Sequence, residues 1–109
     1  SKSGLIIDAN GITENTNATS IGFIAWNDIY QIRIQQVASE KFIMIDLKTP
    51  QKYIDKAGNV FKKNLMKMNM KLYGTPVSIT SRTLNYNFEE LEDILQTSFR
   101  QNTILGDKE

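Results

Sequence analysis

Apolar residues in the first half of the chain come in short runs that polar turns separate, a pattern typical of antiparallel strands. The first run, at positions 5–7, leads into Asp8-Ala9-Asn10-Gly11, and an Asn-Gly pair suits the positive φ angles of a tight hairpin turn. Ile12-Thr13-Glu14 follows the turn as the second strand of the hairpin, and further runs lie at 21–26, 29–37 and 42–47. In the run at 29–37 the apolar side, which is expected to be buried, consists of Tyr30, Ile32 and Ile34, and the polar side of Gln31, Arg33 and Gln35. The pattern predicts five strands in about the first 48 residues.

The period changes after Thr49-Pro50, where a capping residue precedes a proline suited to a first helical position. Asn59 then opens a stretch in which apolar residues recur four, three and four positions apart, at Phe61, Leu65, Met68 and Leu72. This spacing predicts an amphipathic helix that ends at Gly74 and turns these four side chains toward the core. A sixth strand is expected at 76–80.

A second helix is predicted at the C-terminal end of the chain. Asn87 is a suitable cap, with Glu90 three residues later, and acidic residues crowd the first turns, where the helix dipole favours negative charge. Its apolar face consists of Phe88, Leu91, Ile94, Leu95, Ser98 and Phe99. Because the sequence contains no linker or repeat, we predict one α+β domain over residues 1–109. A single tryptophan is more often a core residue than a binding anchor, so we expect Trp26 to lie in the core.

Composition excludes most familiar enzyme chemistry. The 109 residues include no Cys and no His, so thiolate nucleophiles, disulfides, Cys-based zinc sites and the commonest general base are absent. The sequence contains neither a Gly-x-Ser-x-Gly elbow nor a Gly-x-x-x-x-Gly-Lys phosphate loop. No cofactor is therefore expected.

Charge is unevenly distributed although the formal net charge is only +1. Residues 51–74 carry six Lys against one acidic residue, and residues 85–109 carry two basic residues against six acidic ones. A weak net charge with few aromatics among the lysines argues against nucleic acid as the partner. The basic stretch nevertheless predicts contact with an anionic partner. The alternative is a solvated basic face, with Met66 and Met70 packed under a neighbouring loop or subunit.

The predicted binding residues lie on the helix expected between Asn59 and Gly74. They lie outside the apolar arc that Phe61, Leu65, Met68 and Leu72 form. Lysines would supply electrostatic contacts and methionines adaptable apolar ones. The candidate site consists of Lys62, Lys63, Met66, Lys67, Met70 and Lys71.

Two sequence motifs resemble those of bacterial pleckstrin-homology-like domains carried by small membrane-anchored proteins. They are the Asp-x-x-Gly-Ile turn that begins at Asp8 and the Gly-x-Ile-x-Trp-x-Asp-Ile pattern over residues 22–29. Gly-Thr-Pro before the sixth strand and the helix opening Phe88-Glu89-Glu90-Leu91 extend the resemblance over nearly the whole chain. These motifs specify turns and packing, and the family offers no catalytic residues to carry over.

The resemblance implies a strongly bent antiparallel sheet, partly closed as a barrel, with an inserted amphipathic helix and a C-terminal capping helix. One departure is that such a barrel has seven strands, whereas six are predicted here. The resemblance also implies a transmembrane hairpin before Ser1 and a location at the cytoplasmic face of the membrane.

Two functional hypotheses follow from the sequence. The first is a non-catalytic binding or assembly module that contacts a protein partner or an anionic lipid surface. Self-association through an edge strand is a further possibility that is compatible with it. The second is a small enzyme, or a subunit of one, whose carboxylates, such as Asp46 or Glu40, act with Tyr and Lys. The enzyme hypothesis requires a deep polar pocket with buried carboxylates.

Overall fold

A computed structural model describes residues 4–15, 20–80 and 87–107, and in this part of the chain the strands form two antiparallel sheets. The first sheet has the order β1 (Gly4–Ile7), β2 (Gly11–Asn15), β3 (Gly22–Ala25). The second has the order β4 (Ile29–Val37), β5 (Glu40–Leu47), β6 (Val77–Ile79). Five strands before residue 48 and a sixth near 76–80 were expected, and both expectations are confirmed.

The predicted hairpin joins β1 to β2, with Ile7 opposite Ile12. The Asp8 carboxylate accepts hydrogen bonds from the backbone N–H groups of Asn10, at 2.8 Å, and Gly11, at 3.2 Å. Gly11 also lies so close to β3 that a Cβ built on it would be 2.1 Å from the carbonyl oxygen of Ile24. The glycine is therefore needed for the approach of two strands. Neither Asn10 nor Gly11 has a positive φ, so the bonds to Asp8 hold the turn in place of the left-handed backbone that the Asn-Gly pair predicted.

One hydrophobic core receives side chains from both sheets and from the C-terminal helix. Ile12 and Ile24 of the first sheet and Ile43 and Ile45 of the second are fully buried in it. Its buried members are Ile12, Ile24, Trp26, Ile29, Ile32, Ile43, Ile45, Leu47, Tyr53, Val77, Ile79, Leu91 and Leu95. Trp26 is thus confirmed as a core residue.

Three helices complete the described residues: α1 (Pro50–Asp55), α2 (Val60–Tyr73) and α3 (Phe88–Asp107). The Asn59 side chain accepts a hydrogen bond from the backbone N–H of Lys62, and Gly74 ends α2 at φ 84°, a left-handed conformation that glycine adopts without strain. Asn87 caps α3 through the backbone N–H of Glu90, at 3.2 Å. The expected bounds of α2 and the expected start of α3 are confirmed.

The expected barrel is not formed, because β3 and β4 belong to separate sheets in the described residues. A 3-10 helix at Trp26–Asp28 turns the chain between these strands. The α+β class with antiparallel sheets and helices is confirmed, and the partly closed barrel that the resemblance implied is not formed in the described residues. None of the helices in the described ranges has both the length and the apolar content needed to cross a bilayer.

Candidate interaction face on α2

Helix α2 packs on the body of the protein with the side opposite to the one expected. Met66 is 1% exposed and lines a small cavity of about 30 Å³ with Ile21 and Tyr53. Phe61, in contrast, is 71% exposed, although the sequence pattern assigned it to the core. Met68 and Leu72 from the same expected core arc are also exposed.

The spacing of apolar residues could not decide which side of α2 would be buried. At 100° per residue, Phe61, Leu65, Met68 and Leu72 form one apolar arc, and Met66 lies roughly opposite to it. Both sides of the helix therefore offer apolar groups, and the shape of the available surface selects between them. The expectation that the four-residue arc faces the core is wrong at three of its members and only partly met at Leu65, which is half-buried.

Two contacts fix how α2 is rotated. The guanidinium of Arg33 on β4 donates to the carbonyl oxygen of Tyr73, the last residue of α2, at 2.5 Å. In the middle of the helix, the buried Met66 side chain lines the same small cavity as Tyr53 of α1. A helix held at both positions cannot turn its exposed arc inward without breaking both contacts.

The six residues predicted as a binding site are divided by this packing. Met66 is buried, so its predicted role as a surface contact is corrected. Met70, Lys62 and Lys63 are partly buried, and Lys67 and Lys71 are exposed. The Lys62 side chain lines the same small cavity as Met66, as long lysine stems commonly do on apolar surfaces. Whether the lysines bind a partner stays a prediction.

Exposed side chains of α2 nonetheless form a mixed apolar and basic surface, which we call the α2 face. It consists of Val60, Phe61, Lys67, Met68, Lys71 and Leu72. The sequence of α2 contains no acidic residue, and neither lysine of the face forms an ion pair with another described residue. Clustered apolar side chains with such exposure mark interaction surfaces more often than single exposed residues do.

The neighbouring helix α1 carries further basic residues, but one of them is neutralised locally. Lys52 pairs with Asp28 at 2.9 Å, and the Tyr53 hydroxyl donates a hydrogen bond to the same carboxylate. The hydroxyl and then the ammonium lower the pKa of Asp28 below its ordinary value of 3.8. Burial, and secondarily the bond to Asp28, raises the pKa of Tyr53 to about 12. This cluster joins α1 to the start of β4.

The carboxylates of the enzyme hypothesis already have partners that explain their positions. Asp46 accepts from the Nε and Nη2 atoms of Arg33 at 2.6 and 3.1 Å. Glu40 accepts from the Thr80 hydroxyl at 2.6 Å. A larger cavity of about 220 Å³ is lined by Leu5, Ile7, Leu91 and Ile94 and by neither of these carboxylates. Over the described ranges, no group of three acidic side chains is placed to hold a metal ion.

Comparison of the chain with protein-family models, with curated proteins and with solved structures found no match. The resemblance to pleckstrin-homology-like domains therefore stays a prediction, and the functional argument rests on the geometry of the α2 face.

Proposed function

We propose that this chain is a non-catalytic binding module that docks on an anionic membrane surface through the α2 face. The observation that carries the proposal is the outward position of Phe61, Met68 and Leu72 beside two exposed lysines. Helices that lie in a membrane interface have this composition, with large apolar groups on one side and lysines next to them. The lysines then reach anionic headgroups while the apolar groups enter the headgroup and acyl boundary.

Rough magnitudes favour weak, reversible and salt-sensitive binding. Each lysine near an anionic surface contributes about 1 kcal/mol. Full burial of a Leu, Met or Phe side chain contributes about 1.5–3 kcal/mol, and an interfacial helix realises part of this. Such an interaction orients a protein that a second element already holds at the membrane. The transmembrane hairpin implied by the resemblance is a proposed element of this kind, and it would place the domain at the cytoplasmic face.

Repulsion between lysines disfavours a contact between the α2 faces of two copies, so membrane docking is the better proposal. Such a contact would bring Lys67 and Lys71 of both copies together, and α2 has no acidic residue to offset them. A 14-residue helix with a handful of exposed apolar side chains is also a small interface beside the 1,200–2,000 Å² or so that stable complexes bury. An acidic protein partner remains the principal alternative occupant.

The two packed antiparallel sheets and the C-terminal helix also support a proposal about the fold. We propose that the domain is an open, six-stranded variant of the pleckstrin-homology-like architecture. The inserted α1–α2 segment between β5 and β6 would then be the feature that distinguishes it.

Co-sedimentation with lipid vesicles tests the proposed function. The chain is mixed with phosphatidylcholine vesicles, or with vesicles that also contain phosphatidylserine, at low salt and at about 0.15 M salt. The test variant is Lys67→Gln with Lys71→Gln, and the control is Lys41→Gln with Lys48→Gln, which removes two exposed lysines outside α2. A second pair compares Phe61→Ser with Tyr30→Ser, two aromatic residues of similar exposure, 71% and 67%.

We expect binding to anionic vesicles that weakens with salt and falls roughly 30-fold in the Lys67, Lys71 variant, from about 1 kcal/mol per lysine. The Phe61 variant should bind less tightly than the Tyr30 variant. Equal losses in the test and control variants would contradict the assignment to α2. Absence of binding to anionic vesicles at low salt would contradict the lipid proposal and favour a protein partner.

A further inference from the structure

A cavity of about 220 Å³ lies between the edge strand β1 and helix α3. Among the described residues its lining is aliphatic, with Leu5 and Ile7 from β1 and Leu91 and Ile94 from α3. Ile94 is 41% exposed, so the cavity reaches the surface beside it. An apolar cavity of about 150 Å³ can hold a benzene ring, so the ring of one aromatic side chain fits into this space.

The exposed residues of α3 beside this cavity are acidic. Glu90 lies four residues before Ile94 and is therefore its neighbour on the helix surface, and Asp93 directly precedes Ile94. Both carboxylates belong to exposed residues, and neither forms an ion pair with another described residue. We call the cavity and its acidic rim the α3 site, which consists of Leu5, Ile7, Glu90, Leu91, Asp93 and Ile94.

The α2 face carries the groups that complement the α3 site. Phe61 offers an aromatic ring, and Lys67 and Lys71 are exposed one helical turn apart. Because Phe61 is 71% exposed, it does not fill the cavity of its own chain. The α2 face of a second copy can supply both the ring and the two cations.

We infer that the α3 site binds the α2 face of a second copy of this chain, with the Phe61 ring in the cavity and the two lysines beside Glu90 and Asp93. The contact joins two different surfaces of the chain, so opposite charges meet whether the contact is reciprocal or continues to a third copy. It thereby avoids the repulsion that disfavours a contact between two α2 faces. The inference does not rest on lipid binding, although a membrane and a second copy would compete for the α2 face.

The expected association is weak and sensitive to salt. Interfaces that bury less than about 1,200 Å² belong to weak or transient complexes, and one helix face with one cavity is a contact of this class. Exposed ion pairs are screened by salt and contribute little one at a time, so insertion of the aromatic ring is the main source of affinity. The charges chiefly decide which surface of the second copy is accepted.

Sedimentation equilibrium without lipid tests the inference. The native chain is measured from micromolar to about millimolar concentration, at low salt and at about 0.15 M salt. One charge-reversed chain carries Lys67→Glu with Lys71→Glu, and the other carries Glu90→Lys with Asp93→Lys. Each is measured alone and then in an equal mixture with the other.

We expect the average mass of the native chain to rise with concentration, and to rise less at the higher salt. Each charge-reversed chain alone should stay close to the mass of a monomer, because like charges then face each other in the contact. The mixture should recover association, because opposite charges meet again. A chain that has lost its fold is not recovered by mixing, so the mixture also controls for folding.

The matched control separates docking of Phe61 from simple attraction between oppositely charged chains. The mixture is repeated with Phe61→Ser in both chains and, separately, with Tyr30→Ser in both chains, since Tyr30 is 67% exposed and lies outside both surfaces. Only the Phe61 substitution should lower the average mass. Equal masses in these two mixtures, a native chain that stays monomeric throughout, or native-like association of the Glu90, Asp93 variant alone would overturn the inference. The vesicle experiment decides the proposed function separately.

Discussion

The guanidinium of Arg33 joins three parts of the fold, because its Nη2 atom donates to the carbonyl oxygen of Tyr73 at 2.5 Å while its Nε atom donates to Asp46 at 2.6 Å. Its Nη1 atom also donates to the Gln35 side chain at 2.7 Å. The planar fork of Arg makes these bonds in fixed directions, which a lysine ammonium cannot reproduce. The bond to Asp46 raises the pKa of Arg33 further, so the group stays charged.

We predict that Arg33→Lys destabilises the protein by about 1–3 kcal/mol, because the carbonyl of Tyr73 and one Asp46 oxygen lose their donors. Urea unfolding measures the change. Lys48→Arg is the control, since Lys48 is exposed and makes no side-chain contact of this kind among the described residues. A free energy of unfolding equal to that of the control would contradict a role of Arg33 in holding α2.

Substitutions at two methionines, Met66 and Met68, test which side of α2 packs against the rest of the protein. Met66 is 1% exposed and Met68 is 55% exposed. We expect Met66→Ala to cost about 2–5 kcal/mol, the range for a buried large-to-small substitution. Met68→Ala should change stability by less than about 0.5 kcal/mol. Thermal or urea unfolding distinguishes them, and the reverse order would mean that α2 buries the arc containing Met68.

A pH-dependent contribution is expected from Asp28 and Tyr53, whose side chains share a hydrogen bond. The pKa of Asp28 is lowered below 3.8 in the folded state, so its stabilising effect is present above that value and is lost as pH falls through the folded pKa. The pKa of Tyr53 is raised from 10.0 to about 12, so its effect is present below 10 and is lost as pH rises toward 12.

Tyr53→Phe should therefore lower the free energy of unfolding by about 1–2 kcal/mol near neutral pH, and by less at either extreme. Urea unfolding at several pH values measures the difference from the native chain. Tyr30→Phe is a matched control, because Tyr30 is 67% exposed. A difference that stays constant from acid to alkaline pH would show that the hydroxyl of Tyr53 does not act through the Asp28 carboxylate.

Alanine substitution at Gly11, with Gly58 as the control position, tests the close approach of β2 and β3. A Cβ on Gly11 would be 2.1 Å from the carbonyl oxygen of Ile24, whereas a Cβ on Gly58 meets nothing within 4 Å. We predict that Gly11→Ala costs about 3 kcal/mol or more, because backbone must move to relieve the overlap. Gly58→Ala should be neutral or stabilising by up to about 1 kcal/mol. Similar midpoints of thermal unfolding for the two variants would refute this account.

Local sequence signals were sufficient to predict most elements of the fold. The Asn-Gly turn, the cap at Asn59, the stop at Gly74 and the cap at Asn87 act through bonds and φ angles within a few residues. Their positions therefore follow from the chain without knowledge of what packs on it. The alternation from 29 to 37 correctly predicted a strand, but of the three side chains expected on its buried side only Ile32 is buried. Tyr30 is 67% exposed and Ile34 47% exposed, and the register shifts between Ile29 and Gln31.

The side of α2 on which the candidate site was predicted is only partly the exposed side. Lys67 and Lys71 are exposed as expected, whereas Met66 is buried and Phe61 takes the exposed position. The sequence did contain a signal, because an apolar arc flanked by lysines is also the pattern of an interfacial helix. The spacing of apolar residues alone does not distinguish an interfacial helix from a helix whose apolar arc faces the core.

The sequence by itself determined the order of the six described strands and the two long helices, the positions of their caps at Asn59 and Asn87, the absence of Cys and His chemistry, and a basic segment followed by an acidic one. Tertiary structure alone decided that the described strands form two separate sheets in place of the expected partly closed barrel, and that α2 buries Met66. The physical reason is that turns and caps depend on neighbours in the chain. The choice between two apolar sides of a helix depends on the cavity beside Tyr53 and on the reach of Arg33 to Tyr73, which join residues far apart in sequence.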